Sequence, residues 1–362
     1  MTEPKKSLEA PHKRLENTPP RIVEKAAVIG YRSVSALLRF TPPAISRAAI
    51  AGGSQLSYLL WPAKRRYSNS NFAKVLGLPP EHPRVRRMAL RAYKGYASYM
   101  VELMRLPSRP REEWATAIEG DGMDKIIAAW RASGKAMIVT AGHVGNNEAI
   151  AAAIAVNGYP NNVVADDSAF PEIFEILRQE RESFGVHVVP WRNLRELFTI
   201  LRNNEILALL VDWGYRADGV PVLLFGSWTT LPAGPATLAA KTGAIIAPLA
   251  CRRQKNGKFR LESEGAFAVP SSKPADIQRA TQRIADFLEG TIRAAPEQWY
   301  NFKPIWPDDE AEAAEIGERA ALMLAGTPDP GPGGVKALRE KQAAAAAAQP
   351  APTPEPVDPA GS

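Results

Sequence analysis

The rhythm of apolar positions changes once, decisively, along the chain. Between residues 21 and 106 apolar side chains recur at helical spacing. They run Ile22, Ala26, Val28, Ile29, Val34, Leu37 and Leu38, then Ile45, Ala49, Ile50, Leu56, Leu59 and Leu60, then Leu90, Tyr93, Ala97, Met100 and Leu103. This spacing predicts two helices over 21–62, split at Thr41-Pro42-Pro43, and another over 84–106. From about residue 115 short apolar runs alternate with helical patterns. The runs at 136–140, 162–165, 186–189, 206–211, 222–225, 244–250 and 259–261 read as strands. The stretches 123–133, 146–156, 170–184, 194–203, 234–242 and 274–294 read as helices. Strands separated by helices predict an α/β fold, an αβα sandwich with a mostly parallel central sheet, preceded by N-terminal amphipathic helices.

The ends follow neither pattern. Residues 1–20 are polar and Pro-containing and are expected to be disordered. Residues 307–325 read as a short acidic helix, and 326–362 as a disordered Pro/Ala-rich tail that cannot bury a core. The expected organisation is therefore helices at 21–66, one large domain at 67–306, and two appendages.

Charge alters the reading of the first third. Residues 1–111 hold 21 Lys/Arg against 6 Asp/Glu, while the rest holds 24 against 32. Lys25, Arg32, Arg39 and Arg47 interrupt the apolar stripes, and Lys64-Arg65-Arg66 closes the segment. Apolar stripes studded with cations fit helices lying in a membrane interface, with an anionic lipid surface as partner. Ordinary amphipathic helices packed on the domain are the alternative. No secretory signal or transmembrane span is legible, and no nucleic-acid recognition motif occurs. One cysteine, Cys251, excludes an intrachain disulfide, and four histidines without H-E-x-x-H give no metal signature. No cofactor fingerprint is present: Gly142-His143-Val144-Gly145 lacks the dinucleotide spacing, and G-x-S-x-G is absent.

Candidate chemistry concentrates in two places. The buried strand at 136–140 runs into Gly142-His143-Val144-Gly145, and a helix opens near Asn146 with Glu148 in its first turn. Open α/β sheets place their ligands at such strand ends. His143 suits a general base, Glu148 a carboxylate behind it, and Gly142 and Gly145 a backbone close to the imidazole that could donate to an oxyanion. A surface-turn histidine with a helix-start glutamate is the plain alternative. The second place begins with a strand ending in Asp212 and leads to Leu231-Pro232-Ala233-Gly234-Pro235. There the helix opening at Gly234 offers free N–H groups to a phosphate or a developing oxyanion.

Four ordered stretches carry a family resemblance over about 20–306. They are the segment from Asn69 to Pro107, His143-x4-Glu148, Leu231-Pro232-Ala233-Gly234-Pro235 through Gly243-Ala244, and Pro296-Glu297-Gln298-Trp299-Tyr300-Asn301-Phe302. Together they resemble the bacterial lipid A biosynthesis lauroyl/myristoyl acyltransferase family, most closely its phosphatidylinositol mannoside acyltransferase branch. The resemblance implies a glycerolipid acyltransferase-like fold at the cytoplasmic face of the cell membrane, held peripherally or monotopically. It implies an acyl-CoA or acyl carrier protein donor, a lipid hydroxyl acceptor and direct transfer by a His143–Glu148 dyad. Arg178 and Arg181 resemble family arginines near substrate phosphates, and Asp212, Gly142, Gly145 and Gly234 fall among the expected substrate-binding positions. Ser227 after Gly226, and the pair Asp212-Trp213, depart from the family pattern. A non-catalytic membrane-binding homologue and an acyl-CoA thioesterase remain as alternatives.

Overall fold

Three helices open the chain in the computed structural model, which describes residues 21–167 and 170–347: α1 (Arg21–Phe40), α2 (Pro43–Leu60) and α3 (Pro62–Leu76). The stretches 1–20 and 348–362, expected to be disordered, lie outside the described residues. Pro43 and Pro62 stand at the first helical position, where a missing N–H costs nothing, so each proline both ends one helix and starts the next. α3 thereby runs through the boundary expected at 66, and Lys64-Arg65-Arg66 lies in its first turns instead of closing α2. Helix α4 (Pro83–Arg105) follows, with α1, α2 and α3 all packed against it.

The α/β part follows in chain order. It comprises α5 (Arg111–Ala115), β1 (Ile118–Glu119), α6 (Gly122–Ser133), β2 (Met137–Ala141), α7 (Asn147–Val156), β3 (Asn161–Ala165) and α8 (Pro171–Glu182). Next come β4 (Val186–Pro190), α9 (Leu194–Arg202), β5 (Ile206–Leu210), β6 (Val220–Leu224), β7 (Ser227–Leu231) and α10 (Gly234–Thr242). The series closes with β8 (Ile245–Arg253), β9 (Phe259–Ser263), β10 (Phe267–Ala268) and α11 (Pro274–Ala294). The main sheet has the order β1-β9-β8-β2-β5-β3-β4, with β10 on β8. Every pairing from β8 through β4 is parallel, while β9 and β10 run antiparallel to β8. The fold is therefore mixed α/β with a mostly parallel central sheet.

Strand β2 shows how the core is divided. Its side chains alternate faces. Ile138 joins a cluster with Leu197 of α9, Ala236 and Ala239 of α10, and Ile284 and Leu288 of α11. Met137 and Val139 join a second cluster with Ile126 and Ile127 of α6 and Ala149 and Ala152 of α7.

Two expectations are corrected here. The 222–225 run is not in the main sheet. It belongs to β6, which pairs antiparallel with β7 as a separate hairpin. Phe225 and Gly226 at its tip both have positive φ, 51° and 68°, as a two-residue turn matched to strand twist requires. Residues 334–347, expected to be structureless, form α13 (Gly334–Ala347), because alanine is the strongest helix former. Before it, α12 (Glu310–Leu324) packs on α11 and on the β6–β7 hairpin.

Candidate functional site

The site forms where β2 and β5 end. The two strands are parallel neighbours with Ala141 opposite Leu210, and the Val211 N–H donates to the Ala141 carbonyl at 2.9 Å. His143 lies two residues beyond β2 and Asp212 two beyond β5, so in-register pairing delivers both side chains to one sheet edge. Asp212 Oδ1 stands 2.6 Å from His143 Nδ1. The His143 backbone N–H donates to both Asp212 carboxylate oxygens at 3.0 and 2.9 Å, and Trp299 Nε1 donates to Oδ2 at 2.9 Å. The Asn301 amide donates to the Asp212 backbone carbonyl.

Asp212 is 1% exposed. Burial alone would raise its pKa, but the His143 charge and the bonds from His143 and Trp299 outweigh it and hold the carboxyl below its ordinary value. A carboxylate on Nδ1 fixes the tautomer and leaves Nε2 as the working nitrogen. The His143 side chain keeps 26% exposure, so the ring is partly open to solvent. Beside it lies the half-exposed Trp213, ring centroids 5.9 Å apart, with Lys303 Nζ 3.4 Å from the centre of the indole. Burial first, then the Lys64 charge, lowers the Lys303 pKa.

The turn that presents the imidazole is sewn in from both sides. Gly145 N–H donates to the Gln298 carbonyl at 2.9 Å, Asn146 N–H to the Cys251 carbonyl at 2.8 Å, and Tyr300 N–H to the His143 carbonyl at 2.8 Å. Gly145 is left-handed, φ 72°, and a Cβ there would lie 1.9 Å from the Cys251 oxygen. A Cβ at Gly142 would meet Leu288 at 2.4 Å and Asp212 Oδ2 at 3.2 Å. The glycines thus serve close packing, and the N–H groups of His143, Gly145 and Asn146 are already committed. Within the Gly142–Gly145 turn, expected to offer oxyanion donors, the His143 and Gly145 N–H groups are therefore already occupied. Cys251 itself is buried, and burial pushes its thiol up to about 12.

Glu148 occupies a different environment from the one expected. It is not behind the imidazole. Its carboxylate takes Arg181 Nε at 2.9 Å and Nη2 at 2.6 Å, with Tyr99 Oη at 3.3 Å. The second position of α7 aims this side chain at α8, and Arg181 presents a fork that matches a carboxylate. Burial raises the Glu148 pKa, yet Arg181 and Tyr99 outweigh it and leave it lowered. Two residues earlier, Asn146 caps α7 by accepting from the Ala149 N–H at 3.0 Å. The Asn146 amide donates to buried Glu102 at 2.6 Å, and Arg253 pairs with the same carboxylate.

Comparison with known proteins decides the family. The profile of the bacterial lipid A biosynthesis acyltransferases matches residues 20–307. A phosphatidylinositol mannoside acyltransferase of Mycolicibacterium smegmatis is 27% identical over 289 residues, 78% of this chain and 91% of that protein. One from Mycobacterium tuberculosis (strain CDC 1551 / Oshkosh) is 27% identical over 296 residues, 80% of this chain and 90% of its own.

The chain belongs to the bacterial lipid A biosynthesis acyltransferase family. As a member of it, the protein is an acyltransferase. Of the expected site residues, this acyltransferase brings His143, Asp212, Gly142 and Gly145 together, with Glu148 and Arg181 paired beside them. Arg178 is spent within its own helix, pairing with Glu175 at 2.6 Å and Glu182 at 2.8 Å. Gly234 opens α10, which packs on α9, α11, β2 and β8, and a side chain there would meet open space. Ser227 starts β7 and accepts from Lys74 at 3.1 Å. Trp299, Asn301, Tyr99 and Glu102 were missed as site residues. All four lie in the first and last of the resembling stretches, which was the available signal.

Proposed function

We propose that the protein transfers a fatty acyl chain from a thioester, acyl-CoA or acyl carrier protein, to a hydroxyl of a glycolipid or phospholipid, with His143 as general base. One observation carries this reading: in a chain of this acyltransferase family, a buried carboxylate holds Nδ1 of a His143 side chain that stays partly exposed. Nε2 takes the acceptor's proton as its oxygen attacks the thioester carbonyl. The C–S bond breaks, and the imidazolium returns the proton to the leaving thiolate. Transfer is direct, without an acyl-enzyme. Asp212 replaces Glu148 as the partner that stabilises the imidazolium, and Glu148 with Arg181 holds α7 and α8 beneath the site. Arg178 and Gly234 have no part in this reading.

The acceptor class follows the relatives, both phosphatidylinositol mannoside acyltransferases. An αβα sandwich is supported by the two core clusters that divide β2. Peripheral or monotopic attachment to the cytoplasmic face of the cell membrane is supported by α1 and α2, which leave Ile22, Phe40, Ile45 and Leu60 exposed, and by exposed Trp61 between α2 and the basic start of α3. Among the described residues no helix is long and apolar enough to cross a membrane.

The test is transfer from radiolabelled palmitoyl-CoA to phosphatidylinositol mannoside in anionic vesicles. His143→Ala should lose ~10²–10⁴-fold in rate while keeping the wild-type thermal midpoint. Wild-type rates in that variant would overturn the base assignment. Free palmitate released as fast as lipid is labelled would point to hydrolysis instead.

A further inference from the structure

The family profile ends at residue 307, yet the chain continues into α12, and that helix reaches back to the loop carrying Asp212 and Trp213. Tyr215 Oη donates to Glu312 at 2.6 Å, while Tyr215 N–H is fixed on the Pro304 carbonyl at 2.7 Å. Arg319, 1% exposed, donates Nη1 to the Ala217 carbonyl at 2.7 Å and Nη2 to the Gly219 carbonyl at 2.9 Å. Its remaining donors hold Asp329, Nε at 2.8 Å and Nη2 at 2.7 Å. The helix is seated flush on the β6–β7 hairpin, because a Cβ at Gly317 would lie 2.6 Å from Trp228 Nε1.

From these contacts we infer that residues 310–329 clamp the 212–219 loop, and that Tyr215, Glu312 and Arg319 are positioning residues setting Trp213 against the acceptor beside His143. The inference rests on the transferase reading of that site. The nine residues between β5 and the hairpin have few apolar anchors past Val211, so the order of 212–219 has to come from hydrogen bonds. Charge-assisted bonds to its carbonyls and to one phenol are of the stronger kind. Their loss should be felt at the exposed side of the histidine, where the acceptor approaches, more than at the Asp212 carboxylate. That carboxylate is held separately by Trp299 and the His143 N–H.

Arg319→Ala strips Asp329 of its counter-charge and two carbonyls of their donor and is liable to unfold, so the decisive variants are Tyr215→Phe, Glu312→Gln and the double. Two measurements are made on the full chain. The first is amide hydrogen exchange of 212–219 by mass spectrometry. The second is steady-state kinetics with palmitoyl-CoA and phosphatidylinositol mannoside. Expected are faster exchange in 212–219 and an acceptor KM raised about tenfold, the contribution of one hydrogen bond to a charged group. The palmitoyl-CoA KM should stay unchanged, and the double variant should be no worse than either single. Exchange and acceptor KM both at wild-type values would overturn the clamp, as would kinetic losses shared equally by donor and acceptor. Absence of transfer in the wild-type chain would instead sink the transferase reading, with the exchange measurement still reporting on the clamp.

Discussion

Two buried carboxylates flank one histidine turn, and they differ in what they face. Asp212, past the end of β5, faces the imidazole proposed as the base. Glu148, in the first turn of α7, faces a guanidinium that stays charged. Both are buried at a cost in solvation, and both are held below the ordinary carboxylate range by their partners. Burial and pKa direction therefore do not separate the partner proposed to serve the base from the one proposed to hold two helices. The titratable or permanent character of the group opposite does.

The largest break in that comparison should come from Asp212→Asn. Without the carboxylate the ring loses its tautomer control and its counter-charge, and kcat should fall by ~10⁴-fold. The thermal midpoint should move much less than in the Arg181 variants. Transfer within tenfold of wild type would mean that the strand-end pairing does not orient the base. Next in size is Arg181→Ala, which strands Glu148 as an unpaired buried charge. Unfolding free energy from denaturant titration should fall by ~3–5 kcal/mol. The double change Glu148→Gln with Arg181→Met should recover most of it, and a single variant as stable as wild type would refute a structural role for the pair.

The smallest effect is on pH dependence. A carboxyl held low in the folded state contributes stability that is full above the unfolded carboxylate value and lost as pH falls through the folded one. Glu148→Gln should therefore show a flatter acid arm than wild type when midpoints are followed from about pH 7 to about pH 3. An unchanged arm would show that other carboxylates govern acid unfolding.

Much of the scaffold was readable from local pattern. Pro274 and Ala294, and Gly234 and Thr242, bound their helices where the periodicity places them. The main-sheet runs also lie where expected, within a residue or two at most ends. What local pattern lacks is strand order. β2 and β5 become neighbours only because β5 returns between β2 and β3, so a partner 69 positions away replaced one five positions away. Asp212 was singled out, but for substrate and not for His143. The hairpin escaped although Trp228, Thr229 and Thr230 are strand formers, because Gly226 before them and Pro232, Gly234 and Pro235 after them make the stretch read as one loop. The resembling stretches did better, since they preserve spatial neighbours: Trp299 reaches Asp212, and Tyr99 reaches Glu148.

The burial of Cys251 has a practical side. Its thiol is the only one in the chain and lies out of reach, and a sulfhydryl pushed up to about 12 carries almost no thiolate at neutral pH. A new cysteine at Leu37 or Leu60 would thus take a maleimide dye alone, with no background from the native residue. The colour of such a dye on vesicles would report, position by position, whether the first two helices enter lipid and how deeply.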